Sequence, residues 1–259
     1  MKKSLGVILA LGAMFSANVY AATDDDITDV LFVGNSYTHY NNMPFAVKGF
    51  MDSREIKNTV RRSVLGGSHL EEHWNSKRGL TTREKIQSGE YDYVIIQAFS
   101  KSALETREET MDYAGKLIEE VRANGGEPIL YQTWARKRLP STQDEITSMY
   151  DELGEKYGVR IAPVGHAWEL AQAEYPEVEL FSTDGTHPSS LGSYLIACVL
   201  FETITGESSM GLPTTPTVET TDGERVGVLY ASGEDAYFFQ RMAHQAVEDY
   251  KVRTVTPIQ

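Results

Sequence analysis

Two short segments of this chain carry a hydroxyl, an imidazole and a carboxylate that could act as one unit. They are Gly34-Asn35-Ser36-Tyr37-Thr38 and Asp184-Gly185-Thr186-His187-Pro188. A serine hydroxyl is a poor nucleophile at neutral pH. An imidazole hydrogen-bonded to it can remove its proton, and a carboxylate on the far side of the ring fixes the tautomer and steadies the cation that forms. Asp184 and His187 lie three residues apart across a glycine, so one tight loop can present both. Ser36 is remote from them in sequence, and the chemistry therefore depends on a fold that closes the gap. Taken singly, each segment is ordinary: Gly, Asn and Ser are common turn formers, and an Asp-Gly turn before a proline helix start is frequent.

The elements around these residues decide whether they meet. Short apolar runs alternate with helical patterns, as expected for parallel strands joined by crossover helices. Val30–Val33 reads as the first strand, Thr59–Leu65 as the second, Tyr93–Ile96 as the third, Pro128–Tyr131 as the fourth and Val159–Val164 as the fifth. Helices are expected from Pro44 to Met51, over Met111–Val121 after a Thr106 to Glu109 capping box, and from a second capping box at Thr142 to Glu145 toward Gly158. A short helix spans Ala167–Ala173, a helix apolar on all sides runs from Leu191 to Thr205, and a last one covers Glu234–Tyr250 after an irregular arm from Glu207. The architecture implied is a three-layer α/β/α sandwich on a mostly parallel, flavodoxin-like sheet. Such sheets bind ligands beyond the carboxyl ends of their strands, and Ser36 follows the first strand directly.

A serine after strand one, joined to Asp-x-x-His-Pro ahead of the last core helix, resembles the SGNH, or GDSL-like, hydrolases from about Asp29 to Gly206. The resemblance implies a triad of Ser36, Asp184 and His187. It also implies an oxyanion hole built from the Ser36 N–H and the Gly67 N–H in Leu65-Gly66-Gly67-Ser68. Such donors act where charge develops in the transition state, and loss of one typically costs about 3 kcal/mol. The family's third block normally supplies an asparagine after strand three. Here the chain reads Gln97-Ala98-Phe99-Ser100-Lys101-Ser102, which resembles a secreted branch with glutamine in that place. The Gln97 amide is expected to be the third donor, with Ser100 next in line. The implied reaction is acyl-ester hydrolysis through an acyl-enzyme, without metal or organic cofactor, and activity should fall in acid as His187 takes up a proton.

Tyr37, His39, Tyr40, Asn41, Trp74 and Gln132-Thr133-Trp134 fall near the expected mouth. Aromatic faces separated by amides suit sugar rings, which favours a small-molecule or carbohydrate ester, an acetyl ester above others, with Tyr37, Tyr40, Trp74 and Trp134 as contacts. A lysophospholipase or thioesterase of the same fold, and a carbohydrate-binding protein on a lapsed hydrolase scaffold, are the alternatives. His69-Leu70-Glu71-Glu72-His73 matches the inverted zincin pattern H-x-x-E-H, but no partner helix offers a third ligand, and an exposed helix bearing two histidines is the better reading. His166 and His244 are read as structural.

Composition sets the remaining bounds. With 24 Lys and Arg against 37 Asp and Glu, the formal charge is −13, which would repel nucleic acid. Lys2 and Lys3, the apolar stretch Leu5–Phe15 and the small-residue site at Val19-Tyr20-Ala21 form an expected signal peptide over residues 1–21. That predicts export to the periplasm or medium, without stable membrane insertion. The remainder, about 238 residues, suits one domain. The single cysteine, Cys198, lies in an apolar run and is expected in the core.

Overall fold

The structure, a computed structural model, describes residues 27–255. The expected signal peptide lies outside them. In chain order the elements are β1 (Thr28–Gly34), α1 (Ser36–His39), α2 (Met43–Ser53), β2 (Asn58–Val64), α3 (Leu70–Trp74), α4 (Thr82–Gln87) and β3 (Tyr93–Ile96). There follow α5 (Ser102–Glu105), α6 (Arg107–Ala123), β4 (Glu127–Tyr131), α7 (Gln143–Tyr157), β5 (Arg160–Ala162), α8 (Val164–Glu174) and α9 (Ser190–Thr205). The chain ends in a hairpin of β6 (Thr217–Glu219) and β7 (Arg225–Gly227), then α10 (Gly233–Val255).

Five strands pair in parallel in the order β2-β1-β3-β4-β5. This is the flavodoxin-like order, in which the chain winds one way from β1 to β2 and the other way from β3 onward. The loops leaving β1 and β3 therefore diverge, and a crevice opens between them at the carboxyl ends. Helices cover both faces because the inner strands have no polar side: Val30, Leu31, Phe32 and Val33 are each fully buried. Phe32 and its neighbours pack with α2, α8, α9 and α10, while Leu31, Val33 and Ile96 pack with α6 and α7. These two apolar layers make the three-layer α/β/α sandwich.

Helix α9 is buried almost all round, from Gly192 to Ile204, and takes Cys198 into the core, where burial pushes its thiol pKa well up. Two expected local signals are not used. Neither Thr106 nor Thr142 caps a helix with its side chain; the Thr142 hydroxyl donates instead to the carbonyl of Leu139. Part of the expected irregular arm forms the β6–β7 hairpin, which packs on α2 so closely that a Cβ on Gly49 would sit 2.8 Å from the Thr217 carbonyl. The lone glycine in α2 makes that approach possible, and nothing local to 207–222 announces it.

Candidate active site

Strand β1 ends at Gly34, and the next three residues turn the chain into α1. Asn35 is the cap: its side chain accepts the N–H of Tyr37 at 3.1 Å and donates to the carbonyl of Ser68 at 3.1 Å. Ser36 is the first residue of α1, so its own N–H precedes any helical acceptor and stays free for another oxygen.

The second segment folds into a tight loop. Phe181 and Pro188 form an antiparallel bridge, Ser182 N–H donates to the His187 carbonyl at 2.8 Å, and Gly185 takes φ +69° in a turn closed by its N–H to the Ser182 carbonyl. A left-handed φ of this kind favours glycine, which is why Asp184-Gly185 can turn so sharply. One Asp184 oxygen accepts from Ser182 Oγ at 2.9 Å and from the N–H groups of Thr186 and His187 at 2.8 and 2.9 Å. The other accepts from His187 Nδ1 at 2.5 Å. Burial alone would raise the Asp184 pKa. The hydrogen bonds from the imidazole, the two backbone groups and Ser182 outweigh it and hold the carboxyl well below the usual carboxylate range.

His187 Nε2 lies 2.8 Å from Ser36 Oγ. A hydroxyl from the end of β1 and a carboxylate and imidazole from the loop before α9 thus form one continuous hydrogen-bonded line. Tyr40 stacks on the imidazole, ring centroids 4.5 Å apart at 17°, and limits its rotation. Asn41, in the left-handed region at φ 51°, bridges the two segments: its amide donates to the carbonyls of Pro188 and Ser189 at 3.2 and 3.1 Å and to Ser193 Oγ at 2.9 Å. On the opposite side, Trp134 Nε1 donates to the Thr186 carbonyl at 3.1 Å. The short Ser36–His187 distance is therefore held from both flanks.

Several expected site residues stand elsewhere than the sequence suggests. Gln97 is buried with its amide turned inward. Its oxygen accepts the Asn35 N–H and the Thr38 hydroxyl, each at 2.9 Å, and its nitrogen donates to the Ala98 carbonyl. The Asn35 N–H fixes which end is oxygen, so the donor end is not offered to the mouth, contrary to its expected place as the third oxyanion donor. Gln97 instead positions the peptide ahead of Ser36, and a Cβ on Gly34 would lie 2.5 Å from its oxygen, so glycine is needed there for the approach. Ser100 is also buried, accepting from Arg136 Nη2 at 2.8 Å.

The aromatics differ likewise. Tyr37 and Trp134 are buried and stacked on each other, centroids 4.4 Å apart, with Trp168 stacked behind Trp134 at 4.3 Å. They form a pillar beneath the site and are not a sugar platform. Gln132 and Thr133 are buried too. Trp74 packs on the α6 side of the sheet with Arg83 over its ring at 4.2 Å. Of the four expected contacts, Tyr40 alone is partly open beside the imidazole. Gly67 sits at an exposed turn with φ +68° and open space where a Cβ would stand.

His69 and His73 do not form an exposed pair. His69 stacks on Phe99 at 4.3 Å. His73 is fully buried: Nε2 faces the Gly34 carbonyl at 3.1 Å and Ser68 Oγ at 2.9 Å, and Nδ1 faces Thr82 Oγ1 at 2.7 Å. Since a carbonyl only accepts, Nε2 carries the proton and Nδ1 accepts from threonine, leaving neither nitrogen for a metal. Burial, partly offset by the Gly34 carbonyl and by Glu72, pushes its pKa down to about 4. Composition gave no hint of this role, because the partner on which it rests is a main-chain carbonyl. His166 pairs with Asp249 at 2.9 Å and His244 with the buried Glu202 at 2.7 Å, both away from Ser36 in α8 and α10.

No family model and no curated protein matches the sequence. Solved structures do. A protein of Slackia heliotrinireducens, provisionally described as an SGNH hydrolase, is 26% identical with a TM-score of 0.60, over 69% of this chain and 100% of that one. A DUF4886-family protein from Bacteroides uniformis is 18% identical with a TM-score of 0.70, covering 86% and 95%. The acetylxylan esterase Axe2 of Geobacillus stearothermophilus is 16% identical with a TM-score of 0.56, covering 70% and 95%. The sheet order and its helical layers are those of the SGNH-type α/β/α hydrolases. These likenesses support an SGNH/GDSL-like hydrolase and, with it, an ester-hydrolysing serine hydrolase.

Proposed function

We propose that Ser36, Asp184 and His187 are the catalytic triad of an esterase that removes acetyl groups from a carbohydrate through an acyl-enzyme. The observation that carries the reading is the unbroken line from Asp184 through His187 to Ser36, at 2.5 and 2.8 Å. His187, neutral at Nε2, takes the serine proton as Oγ attacks the ester carbonyl. The anionic Asp184 stabilises the imidazolium, which then protonates the departing alcohol, and water reverses the sequence to release the acid. The Ser36 and Gly67 N–H groups are assigned to the carbonyl oxygen as charge builds on it. Gln97 supports that hole indirectly by anchoring Asn35.

The acetyl and carbohydrate parts of the reading draw on the likeness to the acetylxylan esterase and on Tyr40 beside the imidazole. Hydrolysis of p-nitrophenyl acetate by the wild type and by Ser36→Ala tests the core of the proposal. The variant should lose at least about 10³-fold in kcat, and comparable rates would remove Ser36 from the mechanism. Across p-nitrophenyl esters of rising length, an acetyl optimum is expected, whereas an octanoyl optimum would replace the carbohydrate substrate by a lipid one. We also assign the activity to the periplasm or medium; the amino terminus of the protein recovered from its native host should be Ala22.

A further inference from the structure

The longest run of consecutive cations in this acidic chain is Arg136-Lys137-Arg138, and it stands on the loop that leaves β4, at the carboxyl edge of the sheet. That loop is fixed. Ala135 N–H donates to Gln143 Oε1 at 2.7 Å, Leu139 N–H to the Arg136 carbonyl at 2.8 Å, and Lys137 N–H to the Gly185 carbonyl of the histidine loop at 2.9 Å. Arg136 is turned inward to Ser100, but Lys137 and Arg138 are exposed. Among the described residues, no carboxylate pairs with any of the three. Elsewhere among the described residues, ten carboxylates pair with a lysine or arginine.

Lys137 and Arg138 line a hollow of about 240 Å³ together with Glu179, Phe181, Ser182, Asp184 and Gly185. Asp184 is thus shared: its carboxylate is occupied by Ser182, Thr186 and His187, and the hollow lies next to that loop. The hollow adjoins the triad through Asp184, which lines it and is hydrogen-bonded to His187, itself 2.8 Å from Ser36 Oγ.

We propose that Lys137 and Arg138 form a subsite for an oxyanion, a carboxylate or a sulfate, carried on the alcohol part of the ester that this site hydrolyses. The inference rests on the esterase reading above and narrows its substrate to an acyl ester of an acidic sugar. Two exposed ion pairs contribute only modestly, together about tenfold in kcat/KM at low salt.

The test compares an O-acetylated methyl galacturonoside with the same compound methyl-esterified at its carboxyl group, with an O-acetylated galactose 6-sulfate in parallel. Wild type should favour the charged esters about tenfold, the preference should shrink in 0.5 M sodium chloride through screening, and it should vanish in the Lys137→Gln/Arg138→Gln double variant. Hydrolysis of p-nitrophenyl acetate should be unchanged by that variant. A preference for the uronoside over the sulfate would identify the anion as carboxylate, and the reverse as sulfate. Equal rates on charged and neutral esters, or a preference that survives in the double variant, overturn the subsite while leaving the esterase intact. Retention of p-nitrophenyl acetate hydrolysis by Ser36→Ala instead overturns the underlying reading.

Discussion

His73 offers a quantitative test of how the nucleophile loop is held. Its ring lies under the Gly34 carbonyl, two residues before Ser36, and is hydrogen-bonded as the neutral Nε2–H tautomer. Protonation would place a second N–H against Thr82, whose hydroxyl would have to reverse against Ser63 at 2.8 Å, in a pocket without water-exposed surface. The folded protein therefore resists the proton until about pH 4, while the unfolded chain accepts it near 6.5. Between those values the unfolded state binds more protons, so stability is full above pH 6.5 and declines as pH falls toward 4. By linkage, the loss attributable to this one group is on the order of 3 kcal/mol. Urea unfolding monitored by tryptophan fluorescence, at intervals from pH 7.5 to 4.5, measures it as the difference between wild type and His73→Gln. The variant should be less stable at pH 7.5, because the Gly34 carbonyl and Thr82 lose a fitted partner, yet its stability should fall less steeply in acid. Parallel curves would refute the reasoning and move the acid sensitivity to other groups.

Three further outcomes follow from the geometry. Asp184→Asn should fold, since the amide oxygen can still accept the loop N–H groups, but should lose about 10⁴-fold in kcat on p-nitrophenyl acetate because the imidazole loses its tautomer control; a loss below tenfold would contradict the proposed role. Asn41→Gly and Asn41→Ala both remove the bridge to Pro188, Ser189 and Ser193, but alanine alone also strains the φ of 51°; kcat should fall in both, with alanine less stable by about 1 kcal/mol in urea unfolding. Gly34→Ala forces a methyl to within 2.5 Å of the Gln97 oxygen and the Thr38 hydroxyl, so a destabilisation of about 1 to 3 kcal/mol and lost activity are expected, and a neutral thermal melt would show that Gln97 is not fixed as described.

Much of this was legible in the chain itself. The apolar runs of β1, β3 and β4 and the all-round apolarity of α9 are local patterns, and a strand buried on both faces leaves little else for them to be. Asp184 and His187 could be paired from their spacing, because one turn bounds how far apart they stand. Ser36 could be placed at the sheet's carboxyl edge because it follows β1 without a gap. What the sequence could not supply is direction across space. Gln97 has the chemistry of an oxyanion donor, and only the tertiary structure shows its oxygen captured by the Asn35 N–H, which turns the donor end away. Tyr37 and Trp134 are amphipathic rings whose composition suits a sugar platform or a core pillar equally, and the choice was made by Trp168, which stacks on Trp134 from α8. His73 appeared as half of an exposed metal motif until Gly34, 39 residues earlier, came to lie above it. Local preference is encoded along the chain, whereas the partner of a polar group is settled only when distant backbone arrives to satisfy it.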